Sequence, residues 1–397
     1  MIETETYTPL VARVLKIEDI TTGDPERSYL ARYRGRLYGD SSQAYDSLAE
    51  SLRPFKITPL FREENDQHVV LLMPGVVQPK PSNPLINAIL FLLTLFSVIF
   101  AGALFLYSGP ANGLGDLVMA VLRNLSSGIP FAVSLLAILL AHEFGHYIAG
   151  RLHHTHVTLP YFIPLPISPF GTMGAFIQLK EPPKNRRILL DIGIAGPIAG
   201  LVVAIPVLLI GLSLSTITTI HLAPGQGLQL EGNSLLYLLA KFAVFGQLLP
   251  APQSYGSVPP LLYWLRYFFT SQPLPMGGLD VMIHPVAWAG WAGLLVTALN
   301  LIPVGQLDGG HVVSTLLGSR ARLLYPFIIA ALVGLGFFWA GWWLWAFLLL
   351  VLGRIYAEPL DQITRLDLPR KAVAVLGVII FILVFTPVPL VQAIAGG

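Results

Sequence analysis

The sequence contains no cysteine. Disulfides, thiolate metal ligands and iron–sulfur clusters are therefore excluded together, and any metal must be held by His, Asp or Glu. It is also short of charge. Only 12% of its 397 residues are Asp, Glu, Lys or Arg, against 54% hydrophobic, a balance outside that of soluble globular domains. A formal net charge of +2, with the basic residues dispersed, lacks the clustered Lys and Arg of a nucleic-acid footprint, so no nucleic-acid partner is expected. No long apolar run precedes Leu85. The first ten residues carry acidic side chains and no hydrophobic segment, so neither a cleaved secretory signal nor an Arg-rich transit peptide is expected, and the N-terminus is expected in the cytoplasm.

What is present divides at about residue 83. Before it lies much of the chain's charge, including Arg32, Arg34, Arg36, Glu63, Glu64 and Asp66; after it, apolar runs dominate. Residues Ser28 to Tyr38 alternate as a strand does, and Asp40 or Ser41 can cap a short helix with Tyr45, Leu48 and Leu52 on one face. Ile57 to Met73, interrupted by Glu64-Asn65-Asp66, reads as a hairpin. Residues 1–83 are thus expected to form a small soluble α+β domain, ending in a stiff Pro-rich linker from Met73 to Pro84.

Residues 84–397 are expected to be an α-helical polytopic membrane domain. Runs approaching the roughly 20 residues needed to cross a bilayer occur at Leu85–Tyr107, Ile129–Gly150, Ile188–Leu212, His284–Pro303, Leu323–Phe338, Trp342–Leu352 and Ala372–Val391. The stretch Asn233 to Phe269 is apolar but broken by Pro250, Pro252, Pro259 and Pro260 and carries Lys241 and Arg266. It is read as re-entrant or interfacial, or alternatively as two further spans, giving about seven to nine in all. Basic clusters at Arg151 to Arg187, Arg320 to Arg322 and Arg354 to Lys371 fall on one side if the N-terminal domain is cytoplasmic, and the loops Ser108–Gly128 and Ser213–Gly232 carry only Arg123 as a basic residue.

The chemistry is concentrated where the second run ends, at His142-Glu143-Phe144-Gly145-His146. Two His four apart share one helix face, about 6 Å apart along the axis, so both imidazoles can reach one ion. Glu143, beside the first of them, can take a proton from an attacking water and deliver it to a leaving amine. Ionisable groups inside a membrane run are costly and functional by default, which disfavours reading them as ornaments of a helix end. Hydrolytic zinc takes three protein ligands and leaves a position open. The metzincin pattern would need Gly at 149 and His at 152, but the residues are Ala149 and Leu152, so that class is excluded. His153, His154 and His156 are expected at the membrane interface instead.

A better third ligand is Asp308, in the Gly- and Pro-broken segment from Asn300 to His311. Irregular backbone at membrane depth is tolerated where it is buried or lines a cavity, and a lone carboxylate there needs a cation or a partner. A helix cap on the Gly309 or Gly310 amides is the alternative.

His142-Glu143-x-x-His146, followed by Asn300-x-x-Pro303-x-x-x-Leu307-Asp308-Gly309, resembles the paired signature of the site-2 protease family of intramembrane zinc metalloproteases. Between them, Phe170 to Phe176 looks like that family's membrane-associated hairpin, and Ala195 to Gly200 like the small-residue motif of its middle core helix. The resemblance covers about residues 129–317, the expected catalytic core. The flanks look similar to the plastid and bacterial branch that includes the ethylene-dependent gravitropism-deficient and yellow-green proteins, which lacks a PDZ module.

The resemblance implies one zinc ion per chain held by His142, His146 and Asp308, with Glu143 as general base and acid. Asn300 is implied as a donor to the substrate carbonyl oxygen, or as a hydrogen bond between helices that steadies Asp308. Gly171 to Phe176 would add a strand to an extended substrate. Gly196 and Gly200 read as helix-packing residues without chemistry, and His311 as a support behind the ligands. The expected function is zinc-dependent endopeptidase cleavage of membrane-spanning proteins in the lipid bilayer, from an integral multi-pass position in a prokaryotic cell membrane. With no room for a PDZ module, substrate gating falls to the N-terminal domain or to Asn233–Phe269. The rival is a divalent metal transporter using the same His, Glu and Asp cluster.

Overall fold

The computed structural model describes residues 2–23, 29–79, 81–220 and 227–394. Ser28 of the expected strand, Lys80 of the linker and positions 221–226 of the far loop lie outside them. The N-terminal unit is helix α1 (Ile2–Ala12), strands β1 (Leu15–Thr22) and β2 (Ala31–Leu37), helix α2 (Ser41–Leu52), and strands β3 (Ile57–Glu64) and β4 (Gln67–Pro74). The strands form one antiparallel sheet in the order β1-β2-β4-β3.

Local sequence accounts for much of this. Asp40 caps α2, its carboxylate accepting from the Ser42 and Gln43 amides at 3.0 and 3.3 Å, as Asp does at an N-cap. Tyr45, Leu48 and Leu52 face the sheet and are buried. The β3–β4 hairpin turns on Asn65 and Asp66, both with positive φ (49° and 60°), the backbone of a two-residue hairpin turn whose twist matches the strands. Helix α1 was not expected from the acidic, unpatterned first residues.

The rest is mostly helical: α3 (Pro84–Leu106), α4 (Leu114–Arg123), α5 (Ile129–Leu152), α6 (Arg186–Ser213), α7 (Leu235–Phe245), α8 (Pro260–Thr270), α9 (Pro285–Asn300), α10 (Asp308–Leu317), α11 (Tyr325–Leu335), α12 (Gly341–Leu352) and α13 (Leu368–Val384). Short strands sit between them: β5 (Tyr161–Pro164) pairs with β6 (Thr172–Phe176), β7 (Thr216–Thr219) with β9 (Leu279–Met282), and β8 (Gly227–Glu231) with β10 (Leu390–Ile394). Helices α5, α6 and α9 pack on one another around Leu135, Leu139, Leu201, Leu208, Trp291 and Leu295. On α3, by contrast, Leu85, Ile89, Leu92 and Phe96 are exposed, the outward apolar face of a helix that meets lipid.

Among the described residues, four stretches are long and apolar enough to cross a membrane: Pro84–Leu106, Leu125–Leu152, Arg186–Ser213 and Asp308–Leu335. The last starts earlier than the expected Leu323, because α10 and α11 are joined by a 3-10 turn over Gly318–Leu324. Helix α9 has 16 residues, and α13 has 17 and stops at Val384 rather than Val391, ahead of Pro387 and Pro389, which cannot donate to a continuing helix. In the segment read as re-entrant or as two spans, α7 and α8 have 11 residues each, short of a crossing.

The N-terminal sheet is joined to the helices by a strap, residues 359–364. Phe61 of β3 donates to Leu360 and its carbonyl accepts from Gln362, at 2.9 and 3.0 Å; Leu360 and Asp361 donate in turn to Pro183 and Lys184, at 3.0 and 2.7 Å, just before α6. Leu360 and Ile363 pack into the N-terminal core. The Asp361 side chain, fully buried, accepts from Ser41 Oγ (2.7 Å), the Ile363 amide (2.8 Å), the Thr364 amide (3.2 Å) and the Thr364 hydroxyl. Lys184 pairs with Asp46 at 3.0 Å, and Arg187 lies 3.8 Å from Asp40.

Candidate metal centre

Helix α5 carries His142, Glu143 and His146 in its last turns, all buried. Opposite them, α9 ends at Asn300, the chain turns through Gly305 with φ 60°, and α10 begins at Asp308. The turn brings Asp308 Oδ2 to 3.2 Å from His142 Nε2 and 3.3 Å from His146 Nε2, while the two Nε2 atoms are 3.3 Å apart. The start of α10 carries no side-chain cap hydrogen bond. The three donor atoms form a nearly equilateral triangle whose centre is about 1.9 Å from each corner, against typical zinc distances of about 2.0–2.2 Å to His nitrogen and carboxylate oxygen. An ion just off the plane of the triangle would touch all three. Among the described residues this is the group of His and acidic side chains that converges closely enough to hold a metal.

The surroundings prepare these donors. His146 Nδ1 lies 2.7 Å from the Ile192 carbonyl of α6; donating there, it leaves Nε2 as the ligand atom. Gly196 does more than let helices approach. A Cβ there would sit 2.1 Å from His146 Nε2, and one at Gly200 would come within 3.2 Å of His142 Nδ1, so the small residues of α6 vacate the volume the imidazoles occupy. Asn300 Nδ2 is 3.2 Å from His142 Nε2, at the rim of the triangle. The backbone amide of Ile177, next to β6, faces the Glu143 carboxylate.

Glu143, His142, His146, Asp308, Asn300 and His311 line one cavity of about 730 Å³, together with Ile177 to Pro183 and with Ala357 and Glu358 at the head of the strap. Strand β6 pairs with β5 on one side, and its Met173 and Phe176 are exposed. Two other histidines of the neighbourhood are engaged elsewhere. His153 pairs with Asp191 at 3.0 Å and His156 with Glu181 at 2.8 Å. Sequence reasoning missed the Ile192 carbonyl, which no side-chain pattern marks, and gave Gly196 a packing role when its spacing from Gly200 matched that of His142 and His146.

A membrane-embedded helical protein with two His and an Asp converging beside a buried Glu is the arrangement of a metallopeptidase. The profile of peptidase family M50 matches residues 130–340, more than half the chain, and the chain belongs to that family. It is 29% identical over 344 residues to the probable zinc metalloprotease EGY1, chloroplastic, of Oryza sativa subsp. japonica, covering 82% of this chain and 54% of that protein. The Arabidopsis thaliana protein of the same name is 29% identical over 80% of this chain and 56% of its own length. The probable zinc metalloprotease EGY2, chloroplastic, of Oryza sativa subsp. indica is 26% identical over 90% and 61%. The chain thus spans little more than half the length of these curated relatives. No solved structure gives a significant match. Membrane integration stands, but the expected prokaryotic cell membrane finds no support among relatives whose names place them in chloroplasts.

Proposed function

We propose that this protein is a zinc-dependent endopeptidase that hydrolyses peptide bonds of membrane-spanning proteins within the bilayer, with one zinc held by His142, His146 and Asp308. The observation that carries it is the triangle of donor atoms beside Glu143 in a cavity reached from the β6 strand. Zinc, when bound, supplies a Lewis acid that polarises the scissile carbonyl and favours deprotonation of the attacking water. The Glu143 carboxylate receives the proton of that water and returns it to the departing nitrogen. The Asn300 amide donates to the carbonyl oxygen as negative charge builds. The free edge of β6 holds an unwound, extended stretch of substrate against the cleft by backbone pairing.

Residues 1–83 form the extramembrane domain and 84–397 the membrane domain, with a catalytic core over about 129–317. The N-terminal domain shares a side with the basic loops, which the Lys184–Asp46 pair supports, and that side is cytoplasmic by charge bias. Its position beside Pro183 and the strap makes it the candidate for controlling access to the cleft.

The test compares wild type and Glu143→Gln on a model single-span substrate in liposomes, with bound metal measured in both. Wild type is expected to cut, the variant to lose at least roughly 100-fold in turnover, and both to hold about one zinc per chain. If neither cuts and the variant instead loses metal and metal flux, the peptidase reading falls to that of a transporter.

A further inference from the structure

The end of the molecule remote from the N-terminal sheet holds a buried charge cluster that peptide hydrolysis does not use. Helix α6 leaves the strap at Arg186 and runs for 28 residues, about 42 Å at the helical rise, before β7 and β8 follow. Glu231 ends β8, Asp280 lies in β9 and Lys241 on α7; all three are buried. The Lys241 ammonium stands 3.8 Å from Asp280 Oδ1 and 4.5 Å from the centre of the Tyr237 ring, with no hydrogen-bond acceptor in range. Tyr237, also on α7, donates its hydroxyl to Glu231 at 2.7 Å. From α8, buried Tyr267 lies within electrostatic reach of both carboxylates, with Tyr263 stacked against it. The neighbouring α9 and β10 contain no titratable residue.

Two carboxylates therefore share one ammonium in an enclosed site, leaving one negative charge in excess. A buried, uncompensated carboxylate is expensive, and keeping a proton relieves the expense. We propose that Glu231, Asp280 and Lys241 form a proton-binding site in which one of the two carboxylates keeps a proton, and that its release loosens the cap of β7 to β10 on the start of α9. Burial, with Asp280 beside it, holds the Glu231 carboxyl above the usual carboxylate range; burial moves Asp280 in the same direction. The folded protein then holds this proton more tightly than the unfolded chain does. The resulting stability is complete in acid and is lost as pH rises from the ordinary carboxylate range toward neutrality.

The cap is mechanically connected to the cleft. Gly232, next to Glu231, accepts the indole N–H of Trp291 at 2.8 Å. Trp291 lies on α9, whose last residue is Asn300, beside His142. One helix therefore links the proton site to the metal centre, and the site binds its proton whether or not the cleft cleaves peptides.

Thermal unfolding of the full chain in detergent, followed from about pH 5 to about pH 8, tests this. The wild-type midpoint is expected to fall by roughly 3 °C or more, and Glu231→Gln, which keeps an acceptor for Tyr237, to lose most of that fall. A wild-type midpoint that does not fall, or a variant that falls as steeply, overturns the proposal. Should Glu231→Gln not fold, infrared titration in the Glu143→Gln background replaces it. A carboxylic-acid carbonyl band is expected to vanish across the same window and to persist to higher pH in Tyr237→Phe, which removes a donor to the ionised form. Absence of the band, or a band indifferent to Tyr237→Phe, also overturns the proposal.

Discussion

Two buried acidic nodes stand at opposite ends of the helical core, and their partners differ in kind. At the strap, Asp361 is surrounded by donors: two backbone amides and the hydroxyls of Ser41 and Thr364. At the far cap, Glu231 receives one hydroxyl and Asp280 one amide, from Val281, while the nearby Lys241 donates to nothing. Neutral donors at hydrogen-bond distance satisfy a carboxylate at every pH at which it is ionised. Charges that merely approach one another leave a deficit that a proton can fill. The first node is built to hold geometry and the second to respond.

Substitutions at each node can break that contrast. The largest effect is expected from Asp361→Ala, which strands four donors in a dry site: a loss of about 3 kcal/mol or more in thermal or denaturant unfolding. Lys241→Met comes next, and its effect is expected to depend on pH. Near pH 5 it is expected to unfold within about 0.5 kcal/mol of wild type, since a second proton taken up by the carboxylate pair replaces the missing cation, and near pH 8 to be roughly 2 kcal/mol less stable. A loss equal at both pH values would show that the far cap is as fixed as the strap. The smallest effect belongs to Ser41→Ala, which removes one of the four donors to Asp361 and is expected to cost about 1 kcal/mol by the same assay.

The two ends also differ in how far the sequence announced them. The Asn65-Asp66 turn and the Asp40 cap were legible because turns and caps are local chemistry, and the His142–His146 pair because a helix places residues four apart on one face. Asp308 was legible as a carboxylate misplaced in an apolar, broken segment. The strap was not. Asp361 lies in a stretch without periodicity, and its partner Ser41 is 320 residues away, a pairing that no window along the chain reveals. At the far cap Lys241 was visibly out of place in an apolar run, but Glu231 and Asp280 looked like ordinary loop residues because their burial is created by the surrounding sheets and helices. Helix lengths failed for a third reason. Apolar composition marks residues that avoid water without marking where α13 stops at Val384 or where Gly318–Leu324 joins two helices.

The strap also fixes an order of events during synthesis. Leu360 and Ile363 belong to the core of the first 74 residues, yet they leave the ribosome only after α12. A nascent chain must therefore carry an N-terminal unit with an open hydrophobic seam until nearly all its helices have been made. The rim at Pro183 and Lys184 gains its last backbone bonds at the same moment. A chain truncated before residue 359 would leave both seam and rim unfinished and would offer quality control an exposed apolar surface by which to recognise it.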